Sequence, residues 1–266
     1  MKSFVRAILI AAILVVGLGA GSALGQEAVA TVTVIHAVPA EDGFPADVYL
    51  NGDLIIDGFI FEAASELFTI PAGAAELEIF AEGADPDTED PAVSDTVTFE
   101  AGSDYSVVAQ IVNEAPVLSV FVNDTSQLAA GQARLTVRQA SLLADVDVVL
   151  DGNNLFGALM QATDATADVT AGAHDVSFLA AGEVLEERSL QLDEGALLVL
   201  YAVGSPDNDS FGLLAQRVVA QTTAPGGVPT GSGGLKAEQA WMPLYLGVSA
   251  LVLLVAGLRI RGSARL

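Results

Sequence analysis

Carboxylates dominate the side chains of this 266-residue chain that could do chemistry. Asp85-Pro-Asp-Thr-Glu-Asp90 sets Asp85, Asp87 and Glu89 at alternate positions with Asp90 beside them. Oxygens at that spacing can converge on Ca²⁺ when a loop curls, and Asp95 stands near enough to add a ligand. The segment lacks the Gly and the closing Glu of a helix–loop–helix calcium site, and Pro86 and Pro91 suit a solvated acidic loop. Proton transfer would fall to His36 or His174, the only histidines. No Gly-x-Ser-x-Gly elbow, His-Glu-x-x-His or phosphate loop accompanies them. Two scattered imidazoles make a poor zinc site. With no cysteine, disulfides, thiolate nucleophiles and iron–sulfur clusters are excluded.

The elements that must position these residues lie between two unusual ends. Lys2 and Arg6 precede an apolar run from Ala7 to Gly19, followed by Ser22-Ala-Leu-Gly25. A basic start, a short apolar core and a small-residue site read as a signal peptide over residues 1–25. Ala240 to Leu258 carries no charge over 19 residues, with Trp241 and Tyr245 at its start. That length spans a bilayer core as a helix, and Arg259, Arg261 and Arg265 place the 259–266 tail in the cytoplasm. Residues 221–239 are rich in Gly, Pro, Ser and Thr and read as a stalk. The expected location is the cell membrane, single-pass, with the body outside.

Net charge is −24 for the whole chain, and the body is more extreme. From Gln26 to Leu235 there are 33 acidic residues (all but Glu238) and four basic ones: Arg134, Arg138, Arg188 and Arg217. Nucleic acid is therefore not expected as a partner. The body has no lysine, which rules out Schiff-base chemistry there.

The body repeats. Ala30-Thr-Val-Thr-Val-Ile-His-Ala37 matches Ala133-Arg-Leu-Thr-Val-Arg-Gln-Ala140, and Asp47-Val-Tyr-Leu-Asn-Gly52 matches Asp147-Val-Val-Leu-Asp-Gly152. Ile70-Pro-Ala-Gly73 matches Val169-Thr-Ala-Gly172. Within each copy the apolar period is two: Leu77 and Ile79 alternate with glutamates, as Val176 and Phe178 alternate with Asp175 and Ser177. Tyr105, Val107, Ala109 and Ile111 continue one face, and so do Leu197, Val199, Tyr201 and Val203. Such alternation predicts half-buried strands, with hairpin turns at Asn51-Gly52 and Asp151-Gly152. The expected class is all-β: two tandem β-sandwich domains over 29–128 and 129–220, plus the signal peptide and the C-terminal transmembrane helix.

These motifs resemble the bacterial and archaeal domain of unknown function 4397, in which a His-Ala-Ser-Pro strand end precedes an Asp-Val-Tyr-Val-Asp-Gly hairpin and a Leu-Pro-Ala-Gly turn. Copy one carries His36, Ala37, Pro39, Asp47, Val48, Tyr49, Gly52, Pro71, Ala72 and Gly73 at the matching places. Copy two is worn, with Gln139 in place of the histidine. The resemblance implies exported, surface-displayed tandem β-domains and brings no catalytic residues.

A position that accepts Gln139 as readily as His36 wants a hydrogen-bonding group at the core edge rather than a proton shuttle. His174, after a Gly turn, is expected to be exposed. Tyr49, Tyr105 and Tyr201 are expected inside the sandwiches, which leaves no aromatic platform for sugars. The expected function is a membrane-anchored display protein with a structural or binding role, no enzyme and no obligatory cofactor. Its partner would be a protein or envelope ligand. A calcium-dependent adhesion module using Asp85, Asp87, Glu89 and Asp90 is the alternative, and a carboxylate-based hydrolase is the third.

Overall fold

Short alternating segments closed by tight turns become seventeen strands in the computed structural model, which describes residues 28–39 and 45–219. In copy one these are β1 (Val29–His36), β2 (Ala46–Leu50), β3 (Asp53–Phe59), β4 (Ala63–Ala64), β5 (Phe68–Pro71), β6 (Gly73–Ala81), β7 (Val93–Phe99), β8 (Asp104–Val112) and β9 (Ala115–Val122). Copy two supplies β10 (Gln132–Gln139), β11 (Asp145–Leu150), β12 (Asn153–Met160), β13 (Asp164–Thr170), β14 (Gly172–Ala180), β15 (Glu183–Leu192), β16 (Leu197–Val203) and β17 (Gly212–Val218). The expected signal peptide, stalk, transmembrane helix and basic tail lie outside the described residues. Among the described residues no helix is long and apolar enough to cross a membrane.

Each copy makes two sheets with the same plan. One has the order β3-β2-β6-β7 in copy one and β12-β11-β14-β15 in copy two. The other runs β4-β1-β8-β9, with β5 also on β1, and β13-β10-β16-β17. At the centre of the second kind of sheet the pairs β1–β8 and β10–β16 are parallel, while the other pairings are antiparallel. Val32, Val34, Val48, Leu77, Phe99 and Val107 fill the space between the sheets of copy one. Leu135, Val137, Val148, Phe178, Leu198 and Leu200 do so in copy two. Each copy is a β-sandwich.

The repeated motifs have local reasons. Asn51 and Gly52 (φ 52° and 82°) and Asp151 and Gly152 (φ 51° and 76°) take the paired left-handed conformations of a type I′ hairpin. The Asp that opens each Asp-Val-x-Leu run holds a bulge in the next strand. Asp47 accepts the Gly58 N–H and the Gly83 N–H, both at 2.8 Å, and Asp147 accepts the Ala158 N–H at 2.8 Å. The β2–β3 and β11–β12 registers shift at these bulges.

One expectation is overturned. Strands β1, β8, β10 and β16 are buried on both faces, because the parallel-centred sheets of the two copies pack against each other. Register pairs Val32 with Tyr105 and Leu135 with Leu198. Tyr105 therefore corresponds to Leu198, and the Leu197–Val199–Tyr201–Val203 face is the opposite one. Instead of lining the sandwich of copy two, it meets Ile35, Ala37 and Val108 of copy one in a third apolar cluster. The described residues of both copies fall in one compact unit.

Polar groups thread this seam. The Arg138 guanidinium, 1% exposed, donates to Asn123 Oδ1 at 2.6 Å and to the Tyr201 hydroxyl at 2.8 Å. It also lies 4.6 Å from the Phe121 ring centroid. Tyr201 in turn donates to Gln216 Oε1, which also accepts from Ser106 at 2.9 Å. Asn123 donates to Asp104, whose other oxygen takes the Thr31 hydroxyl at 2.6 Å. Arg134 pairs with Asp168 at 2.7 and 3.1 Å and grips the connecting segment at Asp124 and Ser126.

Replacing Arg138 by Met would strand the acceptors of Asn123 and Tyr201 in a dry seam. Removing one partner of such a buried ionic network costs about 3–5 kcal/mol. At about 2–4 °C per kcal/mol for a body of this size, the midpoint should fall by roughly 6–20 °C in calorimetry. A fall under about 2 °C would show that the network contributes little.

Candidate functional site

Where β1 ends and the β8–β9 turn meets copy two, a cavity of about 550 Å³ opens. Its walls are mainly apolar, with Val38, Ile79, Val93, Pro116 and Val117 from copy one and Leu142 from copy two. His36, Gln110, Asn113, Glu114 and Gln161 bring polar groups to it. Gln161 spans the copies, donating to the Ile111 and Ser141 carbonyls at 2.9 Å each. No sequence motif marks a pocket here, since residues of both copies build it.

His36 lies at this cavity, buried, with its ring edge-on to Phe59 at 5.7 Å between centroids. Gln139 plays a different part at the matching position. Its amide donates to the Leu143 carbonyl at 3.1 Å and accepts from the Ser141 N–H and hydroxyl at 3.2 and 3.0 Å. It thereby fastens the β10–β11 connection over its own core.

His174 is buried, against the expectation of exposure. It shares the inward face of β14 with Val176 and Phe178. Both ring nitrogens are committed, Nδ1 to Asp151 and Nε2 to the Thr170 carbonyl, each at 2.7 Å. A carboxylate and a carbonyl only accept, so the imidazolium satisfies both contacts. Its pKa is accordingly raised, by the Asp151 bond first and the Thr170 carbonyl next. That of Asp151 is lowered, chiefly by the Asp175 N–H and then by His174.

The acidic segment after β6 is an exposed turn. Asp85 accepts the Asp87 N–H on its side chain at 3.1 Å and the Thr88 and Glu89 N–H groups on its carbonyl. Among the described residues no group of three or more His, Asp or Glu side chains is placed to hold a metal, so Asp85, Asp87, Glu89, Asp90 and Asp95 do not converge. Tyr105 is packed as expected, edge-on to Phe99 at 5.0 Å, with its hydroxyl accepting the Glu100 N–H at 2.9 Å. Tyr49 is half-buried against Phe80 at 5.3 Å.

A chain of two sandwiches, with turn motifs in these places and a cavity at their junction, belongs among the β-domain proteins. Residues 30–145 match the family described as Domain of unknown function (DUF4397), the one the motifs resemble. The match covers copy one and runs through β10 to the first residue of β11. No curated protein matches the chain. Among solved structures, the Bacillus anthracis TIE protein is 11% identical with a TM-score of 0.22, over 66% of this chain and 33% of that one. The chain thus spans about a third of that protein's length. The CBMbc module (family CBM26) of Eubacterium rectale Amy13K, crystallised with maltoheptaose, is 8% identical with a TM-score of 0.23, over 73% of this chain and 98% of that one. Likeness of this degree transfers neither ligand nor activity.

The His174 geometry makes a pH prediction. A raised folded pKa contributes stability that is complete below the unfolded value near 6.5 and is lost as pH rises through the folded one. The lowered Asp151 contributes above its unfolded value near 3.8, and that part is lost as pH falls through its folded pKa. NMR titration of the His174 ring should give a midpoint above 6.5, and Asp151→Asn should bring it down. A midpoint at or below 6.5 in the wild type would show the pair is not ionic.

Proposed function

We propose that this protein is a non-catalytic surface protein. Residues 1–25 export it, the 240–258 segment tethers it, and the two sandwiches are displayed outside in a structural or binding role. Copy two is read as a second, diverged member of the same domain family. The observation that carries the proposal is where the reactive groups are used. His174 spends both ring nitrogens on protein acceptors, and Arg134 and Arg138 are consumed at the seam. None of the three is left to move a proton or hold a transition state.

Two measurements test this reading. Protease added to intact spheroplasts should digest residues 26–235 while a tag placed after Leu266 stays protected. Digestion of that tag would reverse the orientation. Ester, peptide and glycoside substrates should show no turnover above buffer, and any turnover abolished by a single carboxylate substitution would make the protein an enzyme.

A further inference from the structure

We infer that the cavity beside His36 binds a small, mainly apolar, uncharged molecule carrying an N–H or O–H donor. The inference rests on the cavity alone and stands whether or not the protein is surface-displayed. A volume of about 550 Å³ falls within the range of small-molecule sites, and so does a mainly apolar lining with a few polar groups.

Charge selects the class. Glu114 is the one carboxylate side chain among the described lining residues, and neither Lys nor Arg stands with it. From Ala30 to Leu128 the chain carries 19 acidic residues and no basic one. An anion entering here would lose its hydration with no cation to replace it, which apolar walls make costly. Hydrogen bonding narrows the class further. Gln161 has given both amide hydrogens to carbonyls, so Oε1 is the atom it has left to offer. Gln110 donates to Ser119 and is fully buried, so its Oε1 is sealed away from a guest. The Gln161 oxygen, an acceptor to spare, favours a guest that donates.

Photolabelling of the full chain in detergent tests this with three probes of one shape. 4-Aminobenzophenone is neutral and carries N–H donors, benzophenone has no donor, and 4-benzoylbenzoate is an anion. The expected result is saturable labelling by 4-aminobenzophenone, mapped by mass spectrometry to residues 109–117 and 142–144. Benzophenone should label these residues more weakly, and 4-benzoylbenzoate about tenfold less. Ala144→Trp, at an exposed rim position, should cut the labelling about tenfold while leaving the melting midpoint in place. Ala92→Trp on the opposite rim serves the same end should the first variant not fold. Labelling that is unsaturable, lies elsewhere or persists in the folded variant would overturn the site. Equal labelling by the anion would overturn the charge class, and equal labelling by benzophenone would overturn the donor.

Discussion

A guanidinium sealed between two sheets sets the terms for the rest of this structure. Arg138 cannot shed its charge, so its burial demands acceptors in fixed places. Asn123 from the strand-to-strand connection and Tyr201 from β16 supply them, and each is held by a further polar group of its own copy, Asp104 and Gln216, with Ser106 bridging to Gln216 across the seam. The apolar cluster of Ile35, Val108, Val199 and Tyr201 surrounds this network and keeps water out. Apolar burial supplies the general attraction between the copies, while the network fixes which register they adopt.

The cavity follows from that register. Its outer wall includes Leu142, and its bridge is Gln161, both from copy two, while most of its lining belongs to copy one. Copy two itself closes the equivalent place, where Gln139 ties down the β10–β11 connection and Leu143 packs on the core. Among the described residues the cavity thus stands beside His36 in copy one, while Gln139 covers the matching place in copy two.

Much of this was legible in the residues. Asn51-Gly52 and Asp151-Gly152 named their turns because few other residues tolerate those dihedrals. The alternation on β6 and β14 identified the inward faces correctly. The seam was missed because a period of two says which way a side chain points and not what covers it. Arg134 and Arg138 alternate with Leu135 and Val137, as solvent-facing residues would. A clue was nevertheless present: Leu197 to Val203 is apolar at both parities, which marks a strand buried on both faces. His174 likewise shares parity with Val176 and Phe178, a signal outweighed by its place beside a turn. The cavity could not be read at all, since its walls come together only when the copies pair.

The unequal chemistry of the seam bears on self-association. Ile35 and Arg138 hold matching positions on the opening strands, and Asp104 on β8 matches Leu197 on β16. Two first copies from different molecules, meeting by this face, would bring Asp104 carboxylates into a dry contact with no guanidinium. Two second copies would bury Arg138 without the acceptor of Asn123. Only unlike copies satisfy each other, and the short connection from β9 to β10 supplies the unlike partner at high local concentration. The unlike chemistry of the two faces thus suits a seam that closes within a single molecule and disfavours the exchange of halves between molecules.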